Sequence, residues 1–125
     1  GVTREEANVI KTKYGMTYSK KQREIKEALN PFLTQLLKEV RRMIRYYEER
    51  YGSESKIGQV VTMGGGANMP GLSEYLTDSL RLPVTMSDPW QYTTHSRLQP
   101  PSVSERSMYV TVCGLALTNP KETFA

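Results

Sequence analysis

A run of β-branched residues, Val60-Val61-Thr62, leads within two residues into three successive glycines, Gly64 to Gly66, and then into Ala67-Asn68-Met69-Pro70-Gly71. Few local patterns restrict a chain more. The β-branched run favours an extended strand. The glycines end it, and Leu72, Leu76 and Leu80 then recur at helical spacing. A strand that breaks at glycines and turns into a helix belongs to α/β proteins, which use such loops to bring backbone N–H groups and a helix start to a phosphate or a nucleoside. Glycine suits the task because it has no Cβ to keep a ligand off the main chain.

The rest of the chain reads around this unit. Thr3-Arg4-Glu5-Glu6 forms a capping box, so a helix is expected from there to about Tyr14, ending at Gly15. Ser19-Lys20-Lys21-Gln22 has the same pattern and predicts a second helix start. Asn30-Pro31 admits either a fresh cap or a bend in one continuous helix. Beyond it Phe32 or Leu33, Leu36, Val40, Met43 or Ile44, and Tyr47 mark one apolar face that runs to Tyr51-Gly52.

After the glycine unit, Leu82 to Met86 reads as a short second strand, with Pro83 at its start or on a sheet edge. Asp88 before Pro89 reads as a turn former, and Trp90 as cover for the edge of a core. Residues 91–106 read as a polar surface loop containing His95, which has no orienting acid nearby in sequence. Ser107 to Leu117 admits a strand through Tyr109-Val110-Thr111-Val112, but the apolar spacing favours a buried helix that contains Cys113. The expected division is a helical part, residues 1–52, and a strand–loop–helix part, residues 53–125.

Charge and composition narrow the function. Residues 1–52 hold twelve Lys/Arg against seven acids, yet the bases alternate with Glu24, Glu27, Glu39, Glu48 and Glu49. That interspersion marks a solvated helix face and argues against nucleic-acid binding. No apolar run approaches the roughly 20 residues needed to cross a membrane. One cysteine and one histidine in 125 residues give neither an internal disulfide nor a zinc site. No catalytic residue and no metal ligand is assigned.

Three glycine-loop chemistries can be compared. A P-loop needs Lys and Ser/Thr directly after its last glycine, and here Gly71 is followed by Leu72-Ser73. A dinucleotide fingerprint needs a third glycine at the position of Met69, although Gly64, Gly66 and Asp88 fit it. The third is the adenosine-side loop of actin-like ATPases. Gly64-Gly65-Gly66-Ala67-Asn68-Met69-Pro70-Gly71-Leu72, with Leu76, Leu80, Leu82-Pro83-Val84 and Asp88-Pro89, closely resembles the PilM family of type IV pilus assembly. Related loops occur in FtsA and MreB. The resemblance extends to Val2 through Lys11 and Tyr14-Gly15, to Glu39-Val40-Arg41-Arg42 with Tyr46-Tyr47, and to Gly114-Leu115-Ala116-Leu117.

That resemblance implies an α/β fold forming part of an actin-like (ribonuclease H-like) second lobe, with helices packed on a short incomplete sheet. It implies a C-terminal portion of a larger protein that holds ATP with Mg²⁺ between two lobes. Tight nucleotide binding is expected of the full-length parent and not of this stretch alone, and the stretch is not expected to be an enzyme. The backbone of Gly64, Gly65, Gly66 and Ala67, with Asn68 beside it, would lie against the adenosine. On the first helix the family commonly has Glu and Lys three residues apart, serving ribose and adenine. Here Asn8 stands at the first position and Lys11 at the second; an amide still bonds a ribose hydroxyl, without the charge assistance of a carboxylate. The implied location is cytoplasmic, peripheral to the inner membrane through partners. Those partners are pilus assembly platform proteins, with a PilN-like tail on the absent first lobe, and self-association is compatible with the pattern. The alternatives are a structural or partner-binding module without nucleotide chemistry, an FtsA-like division protein, and a Rossmann-type piece.

Overall fold

The computed structural model describes residues 1–52, 54–94, 99 and 101–119. His95 and part of the expected 91–106 loop lie outside the described residues. The element order is α1 (Arg4–Lys13), α2 (Gln22–Tyr51), β1 (Val60–Thr62), α3 (Leu72–Leu80), β2 (Val84–Met86), α4 (Val103–Arg106) and α5 (Val110–Leu117). Short 3₁₀ turns occupy Gly65–Asn68, Pro89–Tyr92 and Ser107–Tyr109. The two strands form one parallel pair: Val60 N–H donates to the Pro83 carbonyl at 2.9 Å, and Ser87 N–H to the Thr62 carbonyl at 2.8 Å. β1, α3 and β2 thus make a βαβ unit in a helix-rich chain, and Pro83 stands directly before its strand as expected.

The chain divides into two compact units, residues 1–60 with 69–85, and residues 61–68 with 86–125. In the first, α1 begins at the expected capping box: Glu6 N–H donates to Thr3 Oγ1 at 3.2 Å and Thr3 N–H to the Glu6 carboxylate at 2.8 Å. These bonds hold the Glu6 carboxyl below its usual range, the bond from the Thr3 backbone contributing most. The second capping box does not form. The N-cap of α2 is Lys21 with no side-chain bond, and the Ser19 hydroxyl is buried without a described partner. Gln22 fastens the start instead, its side-chain amide donating to the Met16 carbonyl at 3.0 Å.

Of the two readings at Asn30-Pro31, the continuous helix is the one adopted. Pro31 lies inside α2, where its missing N–H leaves one backbone bond unmade at an exposed position. The apolar stripe also sorts itself. Leu33 and Leu37 are buried, whereas Phe32 is 65% exposed and Met43 faces solvent. Leu33, Leu37, Leu72, Leu76 and Val84 pack with Met16 as the core of this unit. Met16 enters it because the chain crosses itself closely between α1 and α2: Met16 N–H donates to the Pro70 carbonyl at 2.7 Å. At that crossing Gly71 has φ +78, and a Cβ there would stand 2.8 Å from the Met16 carbonyl carbon. Glycine answers both demands at once.

In the second unit the expected quiet loop holds more structure. Pro89–Tyr92 forms a turn capped by Asp88, whose Oδ1 accepts from Trp90 N–H at 3.1 Å. Ser102 and Glu105 form a capping box that starts α4. The last element is helical, as expected, but it is not a buried helix: Cys113 is buried on α5, whereas Met108, Val112 and Leu115, whose spacing suggests the buried face, are exposed. Tyr109 meets Trp90 edge-on at 5.7 Å.

Candidate functional site

The glycine loop lies in the second unit. Gly64 turns the chain out of β1 with φ +86, a left-handed conformation that a side chain resists. Gly65 to Asn68 then coil into the 3₁₀ turn, closed by Ala67 N–H donating to the Gly64 carbonyl at 3.0 Å. Ala67 is the buried residue of the turn.

Ser107 fastens this loop from behind. It is fully buried (0% exposed), and its carbonyl accepts from Gly64 N–H at 2.9 Å. Its hydroxyl lies 2.8 Å from Asn68 Oδ1 and 3.2 Å from the Gly64 carbonyl oxygen. A hydroxyl has one proton, so the two acceptors share it. One residue earlier Arg106 pairs with Asp88 Oδ2 at 2.9 Å, which ties the Ser107 segment to the chain just after β2. Asp88 therefore does more than form a turn. Ser107 and Arg106 are missed by a reading along the chain, because a lone Ser and Arg some forty positions from the glycines carry no periodic signal.

Space decides whether the loop could receive a ligand. A Cβ at Gly64 or Gly66 would meet nothing within 4 Å, and one at Gly65 would only touch the Met108 side chain at 3.6 Å. Bare main chain at Gly64 and Gly66 thus borders open volume.

Asn8 and Lys11 are placed on α1 in the first unit, both exposed and one helical turn apart, so they lie on neighbouring parts of one face. With Arg4, Glu5 and Ala7 they line a shallow, open cleft. Lys11 also stands on the rim of a larger cleft of about 520 Å³, within the range of small-molecule sites. Its wall is largely aliphatic, with Ile10, Ile25, Leu29 and Met69 prominent, and Lys21 and Glu24 are its other charged residues. Asn8 does not reach that larger cleft. Among the described residues no His/Cys/Asp/Glu group could hold a metal ion, and no helix is long and apolar enough to cross a membrane.

A βαβ unit whose first strand breaks into an open glycine turn defines a helix-rich α/β chain, and the comparisons narrow that class. A family profile described as type IV pilus assembly protein PilM matches residues 1–120. The chain belongs to that family. A solved structure titled PilM-PilN type IV pilus biogenesis complex has a similar fold, with a TM-score of 0.68, 24% identity and 93% of this chain covered. The chain spans 32% of the length of that structure's chain. Curated protein sequences return no match.

Proposed function

We propose that this chain serves type IV pilus assembly as part of the second, actin-like lobe of a PilM-type protein, where its glycine loop receives the adenosine of ATP. The carrying observation is the open main chain at Gly64 and Gly66, held from behind by the buried Ser107. Adenine is a flat, largely apolar group, and bare backbone at a strand end suits one of its faces. Gly64, Gly65, Gly66, Ala67 and Asn68 are the backbone ligands in this reading. Lys11 and Asn8, on α1 of the first unit, enter this reading through the family resemblance alone, as an adenine-side and a ribose contact. Mg²⁺ and the phosphates belong to segments of a longer parent, which is the form expected to bind tightly. Family membership and the shared fold support the pilus role. A PilN-like partner, a cytoplasmic setting at the inner membrane and attachment through platform proteins belong to the same proposal.

A second reading rests on Asn8. An amide in place of a carboxylate weakens the ribose contact, so a partner-binding scaffold that keeps the fold without nucleotide chemistry is the competing function.

The test is calorimetric titration of the full-length parent with ATP in the presence of Mg²⁺. Gly66→Leu should abolish binding and leave the circular dichroism unchanged, because the new side chain enters open space. Lys11→Ala should weaken it. Binding that neither substitution affects, or none at high protein concentration, overturns the nucleotide role and leaves the scaffold. Cells carrying Gly66→Leu at normal protein levels should then still make pili.

A further inference from the structure

On the first unit, where the second half of α2 meets the approach to β1 and the end of α3, a separate cleft of about 350 Å³ opens. Its aliphatic members, Ile44, Ile57, Leu80 and Leu82, are each half-buried, so apolar surface there still faces water. Its charged members are Arg41, Arg45 and Arg81 against a single carboxylate, Glu48.

Folding accounts for only part of this charge. Arg41 Nη2 donates to the Ser79 carbonyl at 2.6 Å, and both Arg41 and Arg81 stand by the C-terminal end of α3, where cations are favoured. Arg45 has no such reason. None of the three pairs with a described carboxylate, whereas nearby Arg42 is bound to Glu39 at 2.6 Å and Arg23 to Glu27 at 2.9 Å. Arg81 also stands at φ 58, the one positive value among the described non-glycine residues. Asn or Gly would adopt that conformation at less cost.

Guanidinium groups are planar forks matched to carboxylates. A free phosphate would satisfy them and leave the aliphatic surface wet. A peptide with carboxylates on either side of a leucine-like side chain would use both. From three arginines without a described carboxylate partner around a half-exposed aliphatic wall we infer that this cleft docks a short acidic segment of a partner protein, anchored by one aliphatic residue. The site does not depend on nucleotide binding.

The test uses the whole chain and a fluorescein-labelled Asp-Leu-Glu-Leu-Asp peptide, followed by anisotropy at about 0.05 M salt, where screening is weak. The Asn-Leu-Gln-Leu-Asn peptide should bind at least about tenfold more weakly. Arg45→Glu should cost about tenfold or more without changing the circular dichroism, since Arg45 is exposed and makes no described bond. Glu48→Gln should tighten binding, and Arg81→Asn should weaken it while relieving its backbone. Equal affinity for the two peptides overturns the inference. So does an affinity indifferent to Arg45→Glu, or a preference for phosphatidylglycerol vesicles or oligothymidine over the acidic peptide.

Discussion

Alanine at Gly71, Gly64 and Gly66 in turn separates a steric demand for glycine from a conformational one. At Gly71 both apply. The left-handed φ of +78 costs about 1 kcal/mol for an alanine. The new methyl also stands 2.8 Å from the Met16 carbonyl carbon and 2.9 Å from the Thr17 nitrogen. Those are main-chain atoms of a tight crossing and cannot rotate away, so an overpacking cost of about 1–3 kcal/mol adds to the first. The expected loss is about 2–4 kcal/mol. Gly64 shares the conformational term, with φ +86, but its methyl would enter open space, so about 1 kcal/mol is expected. Gly66 has neither term, and its alanine should be neutral or stabilising by up to about 1 kcal/mol through the unfolded chain. Urea melts followed by far-ultraviolet circular dichroism report mainly on α2 in the first unit, and fluorescence of the single Trp90 reports on the second. With a slope of about 2 kcal/mol per molar urea, Gly71→Ala should move the first midpoint down by roughly 1–2 M. Midpoints for Gly71→Ala and Gly66→Ala that agree within error would refute the close crossing.

Ser107→Ala should cost about 1–3 kcal/mol in the Trp90-detected transition, because Asn68 Oδ1 and the Gly64 carbonyl lose a buried donor. Leu33→Ala should cost about 2–5 kcal/mol and Phe32→Ala less than about 1, although the two are adjacent, since Leu33 is 2% exposed and Phe32 is 65% exposed; equal losses in urea would contradict the assigned face. Glu6 supplies the pH test. Its folded pKa is depressed, so its bond to Thr3 favours α1 above the ordinary carboxylate range and is lost as pH falls through the lowered value. Carbon-detected NMR titration should show the Glu6 midpoint rising toward the ordinary value in Thr3→Ala.

How much of this was legible along the chain varies by element, for a physical reason. Signals carried by neighbours three or four positions apart read correctly: the Thr3–Glu6 capping box, the Gly15 and Gly52 stops, the stripe of α3 and the strand–glycine–helix turn. The Ser19 box failed. An N-cap needs the chain to enter the helix at that residue, and here Gln22 is held by the Met16 carbonyl in a crossing that local pattern does not reveal. Phe32 and Leu33 were equivalent by periodicity alone, and the position of α3 chose between them.

The candidate site divides in the same way. Sequence by itself determined that Gly64 to Asn68 would be a turn at the strand end, because backbone freedom and strand propensity are local properties. It also placed Asn8 and Lys11 on one helix face. Tertiary structure alone decided that Ser107 and Arg106 hold the turn, that Asp88 is an ion-pair partner, and that three arginines border an aliphatic cleft. Those contacts join residues 18 to 43 positions apart, and only chain packing brings them within bonding range.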